Sequence, residues 1–327
     1  MTLRALRFQL NTFLSGPQAW FFLADERGYL AEEGLALAYV EGDTAANVVP
    51  KMATGDFDVG YGDVNALIEH AAHNRPHEPV AVFAAYNASP YTLAVSATSG
   101  ITSPLQLTGK RLVTHPNDAA LKLFPEFCRA TGLGPSTVRI EVSSAPHCEL
   151  VPRLLAGEWD GMFGFVNTII AASLDAGIAN PREPLRFMEY HDHLPDVYGM
   201  MLMVTRQLAH DEPEVVRRLL RALNRGLVDT VASPEAAIQA LSRYCKRVGK
   251  PFNEASNLRR LIGTLELEMG REEGARLGIG DLDDARFERG IQLLVETKQA
   301  PRKPTASEIF DRSFLPSLEA RVRNLYR

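Results

Sequence analysis

Apolar residues in the first 190 positions fall into short continuous runs, separated by longer stretches where they recur every three or four residues. That alternation predicts strands and helices in turn, the pattern of an α/β protein with mostly parallel sheets. Ala5 to Leu10 reads as a strand, and Gln18 to Arg27 as a helix entered through Ser15-Gly16-Pro17 and stopped by Gly28. A second strand, Leu35 to Val40, ends at Gly42-Asp43-Thr44, where Asp43 or Thr44 can cap a helix reaching Thr54. The third ends at Gly62-Asp63, with Asp63 capping Val64 to His73, and Val80 to Ala85 is the fourth. Further on, the pattern predicts a strand over Arg111 to Thr114 and a helix capped by Asn117 or Asp118 that Gly132 ends. A strand at Val138 to Val142, a helix at Asn167 to Ala176 and a strand at Leu185 to Tyr190 follow. From Asp211 the pattern turns helical: Val215, Val216, Leu219, Leu220, Leu223, Leu227 and Val231 share a face, and Ser233-Pro234 opens another helix. This helical C-terminal tail is expected to pack on one lobe.

One segment occurs twice. Val49 to Gly62 reads VPKMATGDFDVGYG and Val151 to Gly164 reads VPRLLAGEWDGMFG, with five of fourteen positions identical and most others conserved in type. Each copy follows an apolar run, so the repeated unit is strand, loop, helix, Gly turn, strand. Two similar αβ lobes are implied, with a ligand cleft expected between them. Asp58 and Asp160 follow an aromatic residue in both copies, which points to a shared structural role in the turn.

Composition narrows the function classes. The chain has 327 residues, 46% hydrophobic and 23% charged, with a formal charge of -5 and no Lys/Arg block of the kind that marks nucleic-acid binding. Cys128, Cys148 and Cys245 lie far apart without metal or redox spacing, so buried thiols are expected, with one disulfide bridge the open alternative, and neither metal nor cofactor is expected. No run approaches the ~20 apolar residues of a membrane span. The N-terminal residues lack the apolar core of a signal peptide, which leaves a cytoplasmic protein or one whose leader is missing from the sequence given.

In open parallel sheets, ligands sit beyond the carboxyl ends of the strands, where helix N-termini present free N–H groups. Those loops hold Asn11, Ser15, Gly16, Asp43, Thr44, Tyr61, Gly62, Asp63 and Asn87 in the first lobe. In the second they hold His115, Asn117, Ser143, Ser144, His147, Phe163, Phe165 and Asn167. The mixture of small, amide, hydroxyl and aromatic residues suits a small planar or anionic ligand. For Tyr61 and Phe163, ligand stacking and core packing are both open, and Asp63 is also explained by helix capping. Trp20 reads as core; His70, His73 and His77 read as a solvated surface, and His191 and His193 as an exposed loop. No GxSxG elbow, P-loop or GxGxxG fingerprint is present.

Three ordered marks carry a family resemblance: Asp25-Glu26-Arg27-Gly28-Tyr29-Leu30 followed by Glu33-Gly34-Leu35, then Gly55-Asp56-Phe57-Asp58-Val59-Gly60, then Leu107-Thr108-Gly109-Lys110-Arg111. With them the chain resembles the solute-binding proteins of ABC importers for alkanesulfonates, taurine, nitrate and thiamine-precursor pyrimidines. The resemblance implies a type II periplasmic-binding fold: one lobe from residues 1–91 and 200–327, the other from 92–199, with crossovers near Tyr91 to Thr92 and at Tyr198 to Met200. It also implies hinge closure on a ligand, Tyr198 beside the site, a monomer recognised by the importer's membrane subunits, a periplasmic or other extracytoplasmic location, and binding without catalysis. In thiamine-precursor binders an acidic residue follows the turn where this chain has Asn167, and anion binders use donors such as Ser15, Thr44, Asn117, Ser143 and Ser144, here without an evident Arg. A neutral or weakly charged aromatic-like ligand fits both. The alternative implied by relatives on the same fold is a cytoplasmic enzyme, either a sulfinate desulfinase or the fungal thiamine-pyrimidine synthase. The desulfinase's cysteine after the first strand is absent from Asn11 to Gln18, and the synthase's cysteine-rich run is missing.

Overall fold

The alternating run RALRFQ forms strand β1 (Arg4–Gln9), whose Leu6 and Phe8 are fully buried while its arginines reach solvent. The structure, a computed structural model, describes residues 3–116, 118–270, 272–323 and 325. The chain makes two compact units, Met1–Ala88 with Tyr198–Arg327, and Ser89–Val197.

The first unit holds β1, β2 (Leu35–Val40), β3 (Val59–Asp63), β4 (Pro79–Ala84) and β10 (Met200–Thr205), in the order β2-β1-β3-β10-β4. The second holds β5 (Tyr91–Ser96), β6 (Arg111–Thr114), β7 (Arg139–Val142), β8 (Gly161–Phe165) and β9 (Leu185–Glu189), in the order β7-β6-β8-β5-β9. The two orders are the same once β1 is matched to β6 and β3 to β8. In each sheet four strands share one direction, and the antiparallel fifth is the strand formed just after the chain enters that unit: β10 in the first, β5 in the second. Sequence pattern did not reveal these two strands. Both follow directly on a crossover between the units, where the sequence reading places only the crossover itself, and both are buried along nearly their whole length.

The duplicated segment occupies matched places. Gly55 and Gly157 both take the left-handed conformation that favours glycine, with φ of +83° and +82°, and each turns a helix back into its strand. Asp58 accepts from the Arg7 N–H (2.8 Å) and donates its own N–H to the Arg7 carbonyl (3.0 Å). Asp160 does the same with Arg111, at 2.8 Å in both directions. The shared role expected for the two aspartates is therefore to pin β3 on β1 and β8 on β6.

Helices cover the sheets. In the first unit the helix Ala19–Glu26 and the long helix Pro213–Ala232 pack together, and Trp20, Phe21, Leu219 and Leu223 join the strand residues in one core. Ser233 caps the next helix by accepting from the Ala236 N–H, as its sequence foretells. Among the described residues no helix is long and apolar enough to cross a membrane.

Candidate functional site

The carboxyl ends of β3 and β4 in the first unit carry a buried aromatic cluster. Tyr61 sits edge-on to Phe21, Trp20 and Tyr86, with ring centroids 5.1, 6.3 and 6.2 Å away, and is fully buried. Of the two readings open for Tyr61, packing is what the structure shows. Burial pushes the Tyr61 and Tyr86 phenols far above their usual range, and the Glu268 carboxylate, 1% exposed, adds to both shifts. Glu268 lies on the π-helical turn Thr264–Met269, a geometry frequent at functional sites, together with the buried Thr264. No motif in the sequence marks Glu268; it reads as one more helical glutamate until the fold buries it. Trp20 is core, as expected, yet its indole Nε1 has no hydrogen-bond partner among the described residues, and neither does Asn87 Oδ1. The amide nitrogen of Asn87 is satisfied by the Met269 carbonyl at 3.0 Å.

The remaining first-unit candidates are held by the protein itself. Asn11 accepts from Gln18 Nε2 at 2.6 Å, and Ser15 forms a reciprocal cap with Gln18. Gly16 is small because the helix Glu254–Gly263 crowds it: a methyl group there would lie 2.0 Å from the Asn257 carbonyl oxygen. Gly62 likewise makes room for Val48, which a methyl group there would meet at 2.6 Å. Burial disfavours the Asp43 carboxylate, but Lys51, Asn47 and the Thr44 N–H outweigh it and bring the group down to about 2. Thr44 Oγ1 is buried without a hydrogen bond among the described residues. Asp63 caps its helix through the Asn65 N–H, and Asn65 Nδ2 bridges Asp63 to the Tyr198 carbonyl. The Tyr198 hydroxyl bonds Glu273 and accepts from the Asp283 N–H (3.0 Å), with the Arg286 guanidinium 4.1 Å from the ring centre, so this residue anchors C-terminal helices of its own unit.

In the second unit the two histidines singled out from the sequence come together. His115 follows β6 and His147 starts the helix His147–Leu155, and their rings stack with centroids 4.2 Å apart and planes at 26°. The glycine of the repeat makes this possible: a side chain at Gly164 would meet His147 Nε2 at 3.0 Å. Burial lowers the His115 pKa, and its Nε2 is enclosed without a hydrogen-bond partner among the described residues. Asp118 caps the following helix through the Ala120 N–H (2.8 Å), and burial pushes its carboxyl up to about 6 against that bond. Phe163 is core, edge-on to Phe124 at 5.2 Å, whereas Phe165 is half-buried against Tyr91 at 5.1 Å. Asn167 is 3% exposed and accepts from the Thr168 hydroxyl. Ser144 is exposed; Asn117 lies outside the described residues.

The bland histidine reading needs one correction. His73 and His77 are exposed, but His70 is 5% exposed and its Nε2 contacts the Pro76 carbonyl at 3.1 Å, because the helix turns that position inward. All three cysteines are free thiols, with Cys128 and Cys245 buried and Cys148 exposed. Among the described residues no group of three or more His, Cys, Asp or Glu could hold a metal ion.

Comparison with known proteins places the fold first. The chain is similar to the periplasmic aliphatic sulphonate binding protein SsuA from Escherichia coli (16% identity, TM-score 0.67, covering 93% of this chain and 96% of that one). It is also similar to the alkanesulfonate-binding protein SsuA from Xanthomonas axonopodis pv. citri bound to MOPS (15%, TM-score 0.66, 96% and 100%). At such identities the likeness establishes the two-lobed periplasmic-binding fold. Sequence relatives point elsewhere for activity. The chain is 24% identical over 258 residues, 74% of this chain and 71% of the relative, to the 4-amino-5-hydroxymethyl-2-methylpyrimidine phosphate synthase of Schizosaccharomyces pombe. It is 24% identical over 249 residues, 74% of each chain, to the protein of that name from Legionella pneumophila. Three curated relatives carry this enzyme name, which overturns the expectation that the chain is not an enzyme. Residues 18–237 match the family model described as NMT1/THI5 like, and the chain belongs to that family.

Proposed function

We propose that the chain binds a small planar, polar compound of the thiamine-precursor pyrimidine class at the strand-end loops of its second unit. One observation carries the reading: in the second unit His115 Nε2 is enclosed, with the His147 ring stacked on its own, and has no hydrogen-bond partner among the described residues. A buried polar atom without a partner costs about 1–3 kcal/mol, and a heteroaromatic ligand with ring nitrogens and an amino group offers partners and a stacking face together. The pyrimidine named in the relatives has that chemistry. Catalysis that forms a compound of this class is the second reading, favoured by the synthase name those relatives share. As a binding component, the loaded protein would be read by the membrane subunits of an ABC importer outside the cytoplasm, a role supported by a structural neighbour from Methylobacillus flagellatus described as the periplasmic sulfonate-binding protein of a sulfonate ABC transporter.

The test is a thermal-shift series with 4-amino-5-hydroxymethyl-2-methylpyrimidine, its phosphate, MOPS and nitrate, together with mass spectrometry for pyrimidine phosphate newly formed when the protein is added to a desalted cell extract. A ligand at a hundred times its Kd adds about 2.7 kcal/mol, which raises the Tm by several degrees. Asn167→Ala is expected to shrink the shift while leaving the ligand-free Tm close to wild type. A shift with MOPS and none with either pyrimidine refutes the assignment, and pyrimidine phosphate formed only when the protein is present identifies the enzymatic reading.

A further inference from the structure

At the edge of the first sheet opposite the strand-end loops, where β3 and β4 begin and β10 ends, the protein has a cavity of about 600 Å³. Its wall includes Arg75, His77, Arg206 and Arg302, with Thr54 and Thr205 beside them and Met52 and Ala53 supplying apolar surface. A volume of this size fits a small organic molecule, and everything lining it belongs to one unit.

Two of the guanidiniums are held in place. Arg206 Nη2 donates to Glu78 Oε1 (2.9 Å) and to the Glu308 carbonyl (2.6 Å). Arg302 donates through Nε to the Ala71 carbonyl (3.1 Å) and through Nη1 to Glu308 Oε1 (3.0 Å). The third is different: among the described residues the side chain of Arg75 has neither an ion pair nor a hydrogen bond, and it is exposed. It rides on the turn between Asn74 and His77, both held at positive φ (50° and 57°), which His70 pins through the Pro76 carbonyl. Thr205 uses its hydroxyl oxygen to accept from the Leu208 N–H, which leaves the hydroxyl hydrogen to donate elsewhere. Three guanidiniums against Glu78 and Glu308 leave positive charge in this cavity, on a chain whose formal charge is -5.

We propose that this cavity is a second binding site, independent of the reading above, for a small organic anion carrying one phosphate or carboxylate group. Arg75 supplies the free charge, Arg206 and Arg302 form the preset wall, and the Met52 and Ala53 side takes the body of the molecule. Phenyl phosphate, inorganic phosphate and phenol, titrated calorimetrically at fixed ionic strength, test this. Phenyl phosphate should bind more tightly than inorganic phosphate, and phenol should not bind. Arg75→Ala should raise the Kd of phenyl phosphate at least about tenfold, the loss expected for one hydrogen bond to a charged group, and Arg75→Glu should abolish binding. Asn167→Ala should leave it unchanged. Absence of phenyl phosphate binding to the wild-type protein, or equal affinity in Arg75→Ala, overturns the proposal.

Discussion

Replacing Asp58 or Asp160 by alanine removes the same interaction from two different sheets. Each aspartate accepts one backbone N–H, from Arg7 or from Arg111, at 2.8 Å. A hydrogen bond to a charged group contributes about 1.5–3 kcal/mol, and partial exposure of both carboxylates moves the expectation to about 1–2 kcal/mol each. Asp160 also faces Lys110 at 3.6 Å, but both groups are well exposed and that pair adds little. Asparagine keeps the acceptor and loses the charge, so Asp58→Asn and Asp160→Asn should recover roughly half of the loss. Urea unfolding followed by circular dichroism reads the effect, with Asp56→Ala as the control: Asp56 is exposed and bonds only the Thr54 hydroxyl, so its loss should stay within about 0.5 kcal/mol. Alanine variants within about 0.3 kcal/mol of wild type, or asparagine variants as damaged as alanine ones, would refute the argument that this repeat persists because both copies pin a strand.

Other perturbations test the packing and the second-unit site. Gly16→Ala places a methyl group 2.0 Å from the Asn257 carbonyl oxygen, which is backbone and cannot rotate away, so a loss of about 2–3 kcal/mol is expected in the same unfolding assay. A cost below about 0.5 kcal/mol would show that the loop relaxes freely. For Asp118 the folded pKa, about 6, lies above the ordinary 3.8, so between these values the folded state holds more protons than the unfolded one and stability falls as pH rises. Its contribution is greatest below pH 4 and is gone above about 6. Asp118→Asn keeps a cap on the following helix and should flatten this part of the profile; an unchanged slope between pH 4 and 6 would remove Asp118 as its cause.

Much of the fold was legible because β1 to β4, β6, β7 and β9, and the helices that follow them, obey local rules. Asp63, Asp118 and Ser233 sit at helix starts, Gly28 and Gly132 end helices in the left-handed conformation, and the repeat announced two similar units. β5 and β10 were not legible, because each follows directly on a crossover between the units and takes its partners from distant parts of the chain. The site divides in the same way. His115 and His147 could be picked out as residues of strand-to-helix loops, but their stacking depends on the space left by Gly164. Glu268 and Arg75 drew no notice, since a helical glutamate and a loop arginine look ordinary until burial and neighbours are known.

The sequence by itself determined the α/β pattern, the duplicated unit and the loops that end its strands, because periodicity, caps and turn residues act over a few positions. Tertiary structure decided which polar groups of those loops find partners within the chain. Gly16, Gly62, Ser15 and Tyr198 pack on or bond other parts of the chain, while Asn87 and His115 keep buried polar atoms without partners among the described residues. The physical reason is that hydrogen-bond satisfaction and close packing are settled by segments remote in sequence, such as Asn257 against Gly16 and Glu273 against Tyr198, and no local pattern encodes them.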